Sequence, residues 1–385
     1  MKKTIYLILF LILIPSIVYG MDNISGSIVE EQLEFFDTSE FQNLIDDVLT
    51  RNDYLQSISI KDILKKLING EEVINWESIS SSLGSLFLSE IKTNLSFLSK
   101  ILVIAIISAI LTNLQGTFEN SSVSSLANYI TYIVIAILVV GSFYQLINVA
   151  KDTVNLLVTF MEIILPILLT FLVLAGGPNT KILFHPMIIA VVNIIGELIK
   201  NVIFPLIYFS FIICILSNIS NRKEFRKLSD LGRQIIIFII SAAFTVFIGI
   251  ITIYGLSSKI DGISIRTAKF AIDTLVPIVG GFLSDAVETV IGSSTILKNG
   301  IGIIGLFILI IITIFPIIKI AALLLIYKIV GAVIEPIVSS NISNFFSDVS
   351  KSLLLVLISM VSVAIMFFIT ITVIVDTGNN LLMLR

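Results

Sequence analysis

One cysteine, one histidine and one tryptophan occur in 385 residues. The lone Cys214 excludes an intrachain disulfide framework and any cysteine metal cluster, and the lone His185 excludes a multi-histidine site. Charge is scarce as well. Asp, Glu, Lys and Arg make up 13% of the chain, against about 25% in soluble domains. No P-loop, paired metal-ligand motif or nucleophile-plus-base arrangement is present. The chain is therefore not expected to be an enzyme or to hold a cofactor. Any energy it uses must come from an ion gradient or a separate ATPase. No nucleic-acid partner is expected either.

What is abundant is hydrocarbon. Hydrophobic residues make up 56% of the sequence, and the mean hydropathy is +1.07. Apolar runs at 95–114, 126–149, 156–175, 182–217, 234–256, 300–334 and 352–375 are long enough to cross a bilayer at about 1.5 Å per residue. The expected fold class is an all-α polytopic membrane protein embedded in membrane lipid.

Two segments precede the membrane domain, which is expected over 95–385. Residues 1–20 have the build of a signal peptide: Lys2 and Lys3, an apolar run from Ile5 to Ile14, Pro15, and Val18-Tyr19-Gly20 as a cleavage pattern. The alternative is an uncleaved anchor, and in both cases the following chain starts outside the cytoplasm. Residues 21–94 carry 14 acidic and 5 basic side chains. Leu33, Phe36, Phe41, Leu44 and Val48 recur with helical spacing, as do Ile60, Ile63, Leu64 and Leu67. This region reads as small, acidic, helical and extracytoplasmic. It serves either as a solvated spacer or as a docking surface.

The runs 182–217 and 300–334 are about twice the length of one span. Each is broken by proline and charge: Glu197, Lys200 and Pro205 in the first, Pro316 and Lys319 in the second. Pro166 and Pro205 are 39 residues apart, as are Pro277 and Pro316, and Glu162 and Asp273 occupy matching places before the first proline of each pair. Candidate repeats of broken or re-entrant helices thus cover 126–218 and 234–335. The basic loop 221–233, with Arg222, Lys223, Arg226, Lys227 and Arg233, belongs in the cytoplasm by the positive-inside rule. An odd number of crossings must precede it. Counting 182–217 as two short crossings satisfies that parity, and so does pairing its first half with 156–175 as a re-entrant hairpin.

Residues 266–305 are the most polar stretch inside this hydrocarbon. Asp285 and Glu288 lie three apart and share a helical face. They read as a cation or proton site, or as part of a wet interface paired with basic residues such as Lys298. Arg266, Lys269 and Asp273 mark an amphipathic helix leading to Pro277. Asp273, Asp285, Glu288, Lys298 and Asn299 are the candidate pathway or assembly contacts. Gly280, Gly281, Gly300, Gly302 and Gly305 are candidates for close helix packing. Gly300 to Gly305 matches G-x-G-x-x-G only formally, since no βαβ context surrounds it. His185-Pro186 is expected to begin a helix.

The run from Gly280-Gly281-Phe282-Leu283-Ser284-Asp285 through Glu288, Gly292-Ser293-Ser294 and Leu297-Lys298-Asn299-Gly300-Ile301-Gly302 resembles the stage III sporulation protein AE family. So do Arg266 to Phe270, Pro277-Ile278-Val279 and the layout of the whole chain. The resemblance implies a multi-pass subunit of a channel or secretion-like complex between mother cell and forespore, required for forespore development. It implies the mother-cell-derived membrane around the forespore as the location. It also implies other stage III sporulation proteins as partners, including a separate cytoplasmic ATPase and ring-forming extracytoplasmic subunits. It carries over no catalytic residue. The alternative reading is an autonomous ion-coupled secondary transporter with duplicated halves.

Overall fold

The computed structural model describes residues 42–43, 76–115, 121–175, 178–220, 223–275, 279–336, 338 and 340–383. Residues 1–20 and most of 21–75 lie outside it, as do the side chains of 255–275 and 279–288. The described chain is helical. Its elements are α1 (Trp76–Gln115), α2 (Ser121–Leu174), α3 (Pro178–Leu198), a π-helical turn (Ile199–Ile203), α4 (Phe204–Ser220), α5 (Lys223–Leu275), α6 (Val279–Ile334) and α7 (Ser340–Met383). Helices are the form such a sequence must take in lipid, because a helix satisfies its backbone donors and acceptors internally. Five helical stretches are long and apolar enough to cross a membrane: Tyr129–Leu174, Pro186–Ile219, Glu224–Tyr254, Thr289–Ile334 and Asn341–Thr377.

Several boundaries differ from the sequence expectation. The line between 94 and 95 falls inside α1, which runs unbroken across it. The runs 126–149 and 156–175 share one helix, α2, although Lys151 and Asp152 interrupt the hydropathy between them. α3 starts at Pro178 and continues through Pro186, so His185-Pro186 is not a helix start. Pro166 and Pro316 sit inside uninterrupted helices.

At Pro205 the chain widens instead of breaking. A proline removes one backbone donor, and its ring crowds the carbonyl four residues back. Here that carbonyl belongs to Asn201, in the π turn just before Pro205. Phe204 N–H donates to the carbonyl of Ile199, five residues back. The rod from α3 to α4 therefore continues through 182–217 as one element. Three helical elements, α1, α2 and this rod, precede the basic loop; α1 is not among the five stretches named above.

α6 is the central helix, packed against α7, α2, α1 and α5. α6 and α7 run antiparallel in constant register. A Cβ at Gly302 would fall on Val375, and one at Gly331 would meet Phe346. Moving 29 residues along α6, from 302 to 331, thus retraces 29 along α7, from 375 to 346. Gly305 lies against Ile164 and Phe160 of α2. Gly196 of α3 lies against Val158 of α2, and farther along the same hairpin Phe143 stacks on Phe211 with ring centroids 3.9 Å apart. α5 is the peripheral member: Ile237, Phe238, Val246 and Ile253 are all exposed on it.

Candidate functional site

Charged groups buried between helices are costly, and in a membrane protein they mark function or assembly before anything else. Two such groups occur among the described residues, near opposite ends of the bundle.

The first is Lys298. It lies on α6 one turn before Gly302, and its side chain is fully buried. Nζ donates to the backbone carbonyl of Val375 on α7 at 2.6 Å. Asp376, the next residue, is its acidic neighbour. The glycine lets α6 and α7 approach closely, and that approach brings the Val375 carbonyl within reach.

Lys298 is therefore a cross-helix tie from α6 to α7. It does not neutralise Asp285 or Glu288. Those residues lie thirteen and ten positions earlier on the same helix, about 20 and 15 Å along its axis, beyond the reach of a side-chain pair. Asp285 and Glu288 share a face of the first turns of α6, and Asp273 lies in the last turns of α5. The side chains of these three residues lie outside the described set. Asn299 is half-buried beside Lys298.

The second group was not singled out from the sequence. Asp348 on α7 is buried and draws donors from three directions. Both terminal nitrogens of Arg233 on α5 lie 3.4 Å from its Oδ1. Lys351 Nζ is 3.3 Å from the same oxygen, and Asn218 Nδ2 on α4 is 3.4 Å from Oδ2. Arg233 also reaches Asp230 at 3.1 Å. Cys214 is buried against this cluster, with Arg233 and Asn218 at 3.7 and 3.8 Å from its sulfur. The cluster joins α4, α5 and α7 at the end that carries the basic loop.

Asp348 escaped notice because the last apolar run starts at Ser352, which places this acid in a connection. The available signal was one carboxylate between Phe346 and Leu353, with Lys351 one turn on.

The remaining isolated charges resolve simply. Glu197 pairs with Lys200 at 2.5 Å and accepts from Asn201, all at the exposed edge of the π turn. Glu162, Lys319 and Lys328 are exposed. Among the described residues no group of three or more His, Cys, Asp or Glu side chains is placed to hold a metal ion.

The bundle and its buried charges define an all-α, multi-pass membrane protein. Residues 58–378 match the family Stage III sporulation protein AE. The chain is 33% identical over 359 residues to the Stage III sporulation protein AE of Bacillus subtilis (strain 168), covering 93% of this chain and 90% of that one. No solved structure matches. The chain belongs to the stage III sporulation protein AE family.

Proposed function

We propose that this protein is a multi-pass subunit of a channel or secretion-like complex between mother cell and forespore, required for forespore development. It would reside in the mother-cell-derived membrane around the forespore. Its partners would be other stage III sporulation proteins, including a separate cytoplasmic ATPase and ring-forming extracytoplasmic subunits. The carrying observation is family membership along nearly the whole multi-pass bundle. The interior supports a role in assembly rather than catalysis, because its buried charges tie helices together. The residues 266–305, with Asp273, Asp285 and Glu288, are the proposed contact with the pathway or with partners.

The autonomous transporter draws less support. Substrate sites in such proteins form where helices unwind near the bilayer midplane. Pro166 and Pro316 lie in intact helices here, and Pro205 follows a π turn.

The test is deletion of the gene followed by counts of heat-resistant spores, with crosslinking and pull-down from sporulating cells. Loss of spores, and capture of other stage III proteins, is the expected result. A normal spore yield without a redundant paralogue would refute the sporulation role. Spore loss without capture of any partner would refute the complex.

A further inference from the structure

We propose that the bilayer surrounds only the half of the bundle that carries the Arg233–Asp348 cluster. The other half stands in water on the extracytoplasmic side.

Helix length raises the question. α2 and α6 are 54 and 56 residues long, about 81 and 84 Å at about 1.5 Å per residue. The hydrocarbon core is about 30 Å thick. Fitting either helix inside it would require a tilt above about 60°, whereas membrane helices tilt by about 20° on average and up to about 40°.

The exposed side chains of α2 show where lipid ends. Exposed large apolar residues run from Tyr129 to Tyr144 and then stop. Every exposed residue of α2 beyond Tyr144 is polar: Gln145, Asp152, Asn155, Thr159 and Glu162. Their spacing of seven, three, four and three keeps them on one face. The opposite face stays apolar and buried throughout, with Val154, Leu157, Phe160 and Ile164. α2 thus changes, midway, from apolar all round to amphipathic. The first pattern suits hydrocarbon and the second suits water.

Neighbouring helices also expose large apolar residues over part of their length. Among the described side chains, exposed large apolar residues run from Leu88 to Ile110 on α1, and on α5 from Leu228, beside the Ser229–Ser210 clasp, outward to Ile253. Contacts join the inner parts of these helices. Phe97 meets Tyr327, Tyr132 donates to the carbonyl of Ile215 and packs on Phe345, and Arg233 reaches Asp348. α7 exposes Leu354 and Ile358 and no large apolar residue after them among the described side chains. Among the described side chains farther out on α3 and α6, isolated ones occur, such as Ile194, Val290 and Ile310, which is ordinary for a watered surface.

Charge marks the boundary. Asp152 on α2, the Glu197–Lys200–Asn201 group and exposed Lys319 on α6 each lie on their helix between its inner exposed apolar residues and the outer glycine contacts, Gly196 with Val158 and Gly305 with Ile164. α5 turns polar in sequence just past Tyr254, with Ser257, Ser258, Lys259 and Asp261. The outer half is the end remote from the basic loop, so the positive-inside rule makes it extracytoplasmic. Lys298 then sits in a water-surrounded core rather than at mid-membrane, where a buried lysine is hardest to keep.

The test uses single cysteines in the full chain, with the parent and its buried Cys214 as baseline. Thr159→Cys and Glu162→Cys report the outer half, and Ile133→Cys and Ile137→Cys report the inner half. A membrane-impermeant maleimide is applied to right-side-out and inside-out vesicles. The expected result is that the outer pair labels in right-side-out vesicles at rates within threefold of those in detergent, while the inner pair stays at least tenfold slower until detergent is added. Equal protection of both pairs would overturn the proposal, and labelling of the outer pair only from the cytoplasmic face would overturn its side. Tryptophan at 137 or 159, in a Trp76→Phe chain with brominated lipid, gives a readout without thiol chemistry. Quenching should occur at 137 and not at 159, and quenching at both would also overturn the proposal.

Discussion

Arg233 on α5 and Asp348 on α7, 115 residues apart in sequence, meet at 3.4 Å in a region where both side chains are nearly withdrawn from solvent. Removing one member of a buried pair leaves an uncompensated charge, at a cost of about 3–5 kcal/mol. Lys351 and Asp230 partly compensate, which places the loss near the lower bound. Arg233→Met or Asp348→Leu alone should lower the thermal midpoint of the detergent-solubilised protein sharply. The double replacement should recover much of that loss, because apolar groups need no partner. A double mutant no better than the worse single would contradict this account.

Lys298 offers a separation of stability from function. Lys298→Met keeps most of the buried volume and loses one hydrogen bond, worth about 1–3 kcal/mol with a charged donor, while relieving the cost of burying the ammonium. The variant should fold and accumulate normally. Lys298→Glu should not, since it buries a carboxylate against the Val375 carbonyl. If the α6–α7 tie matters for assembly, the Met variant should reduce spore yield at least tenfold at equal protein level. Wild-type yield would remove Lys298 from the functional residues.

Small residues are required where the backbones approach most closely. A side chain at Gly302 or Gly305 would fall on Val375 or Ile164. Gly302→Leu and Gly305→Leu should each destabilise by about 1–3 kcal/mol or more, the usual penalty for overpacking. Gly141 has open space around it. Gly141→Ala should therefore be neutral, or stabilising by up to about 1 kcal/mol through helix propensity. Thermal melts of the three variants in one detergent decide the matter.

Ser210 on α4 and Ser229 on α5 clasp each other, each hydroxyl donating to the other's backbone carbonyl at 3.0 Å. Both residues are buried. A double-mutant cycle with alanine should show a coupling of about 1 kcal/mol. Additive losses would mean that the two bonds act independently.

Sequence reading reached the helical, multi-pass class because about twenty apolar residues in a row have few other physical solutions. It reached the family through the polar run from Gly280 to Gly302. It did not reach the helix boundaries at Pro166, Pro205 and Pro316. Proline is a strong local breaker, but neighbouring helices and a π turn can absorb its missing donor. Counting spans by length alone also split α2 at Lys151 and Asp152, where packing with α3 and α6 keeps one rod.

Composition and hydropathy alone determined that this protein is built from apolar helices and that several of them are long enough to cross a membrane. Those properties are local: each depends on the chemistry of a short stretch and its solvent. Tertiary structure decided which charges are partnered. Lys298 faces Val375 rather than Asp285 because antiparallel α6 and α7 bring residues 77 positions apart to one level, and Asp348 faces Arg233, 115 positions away, because α5 packs beside α7. It also decided which apolar faces are covered. Hydropathy cannot distinguish a leucine facing lipid from one facing a neighbouring helix, since both are withdrawn from water. Only the packing of α2 against α3, α6 and α7 separates them.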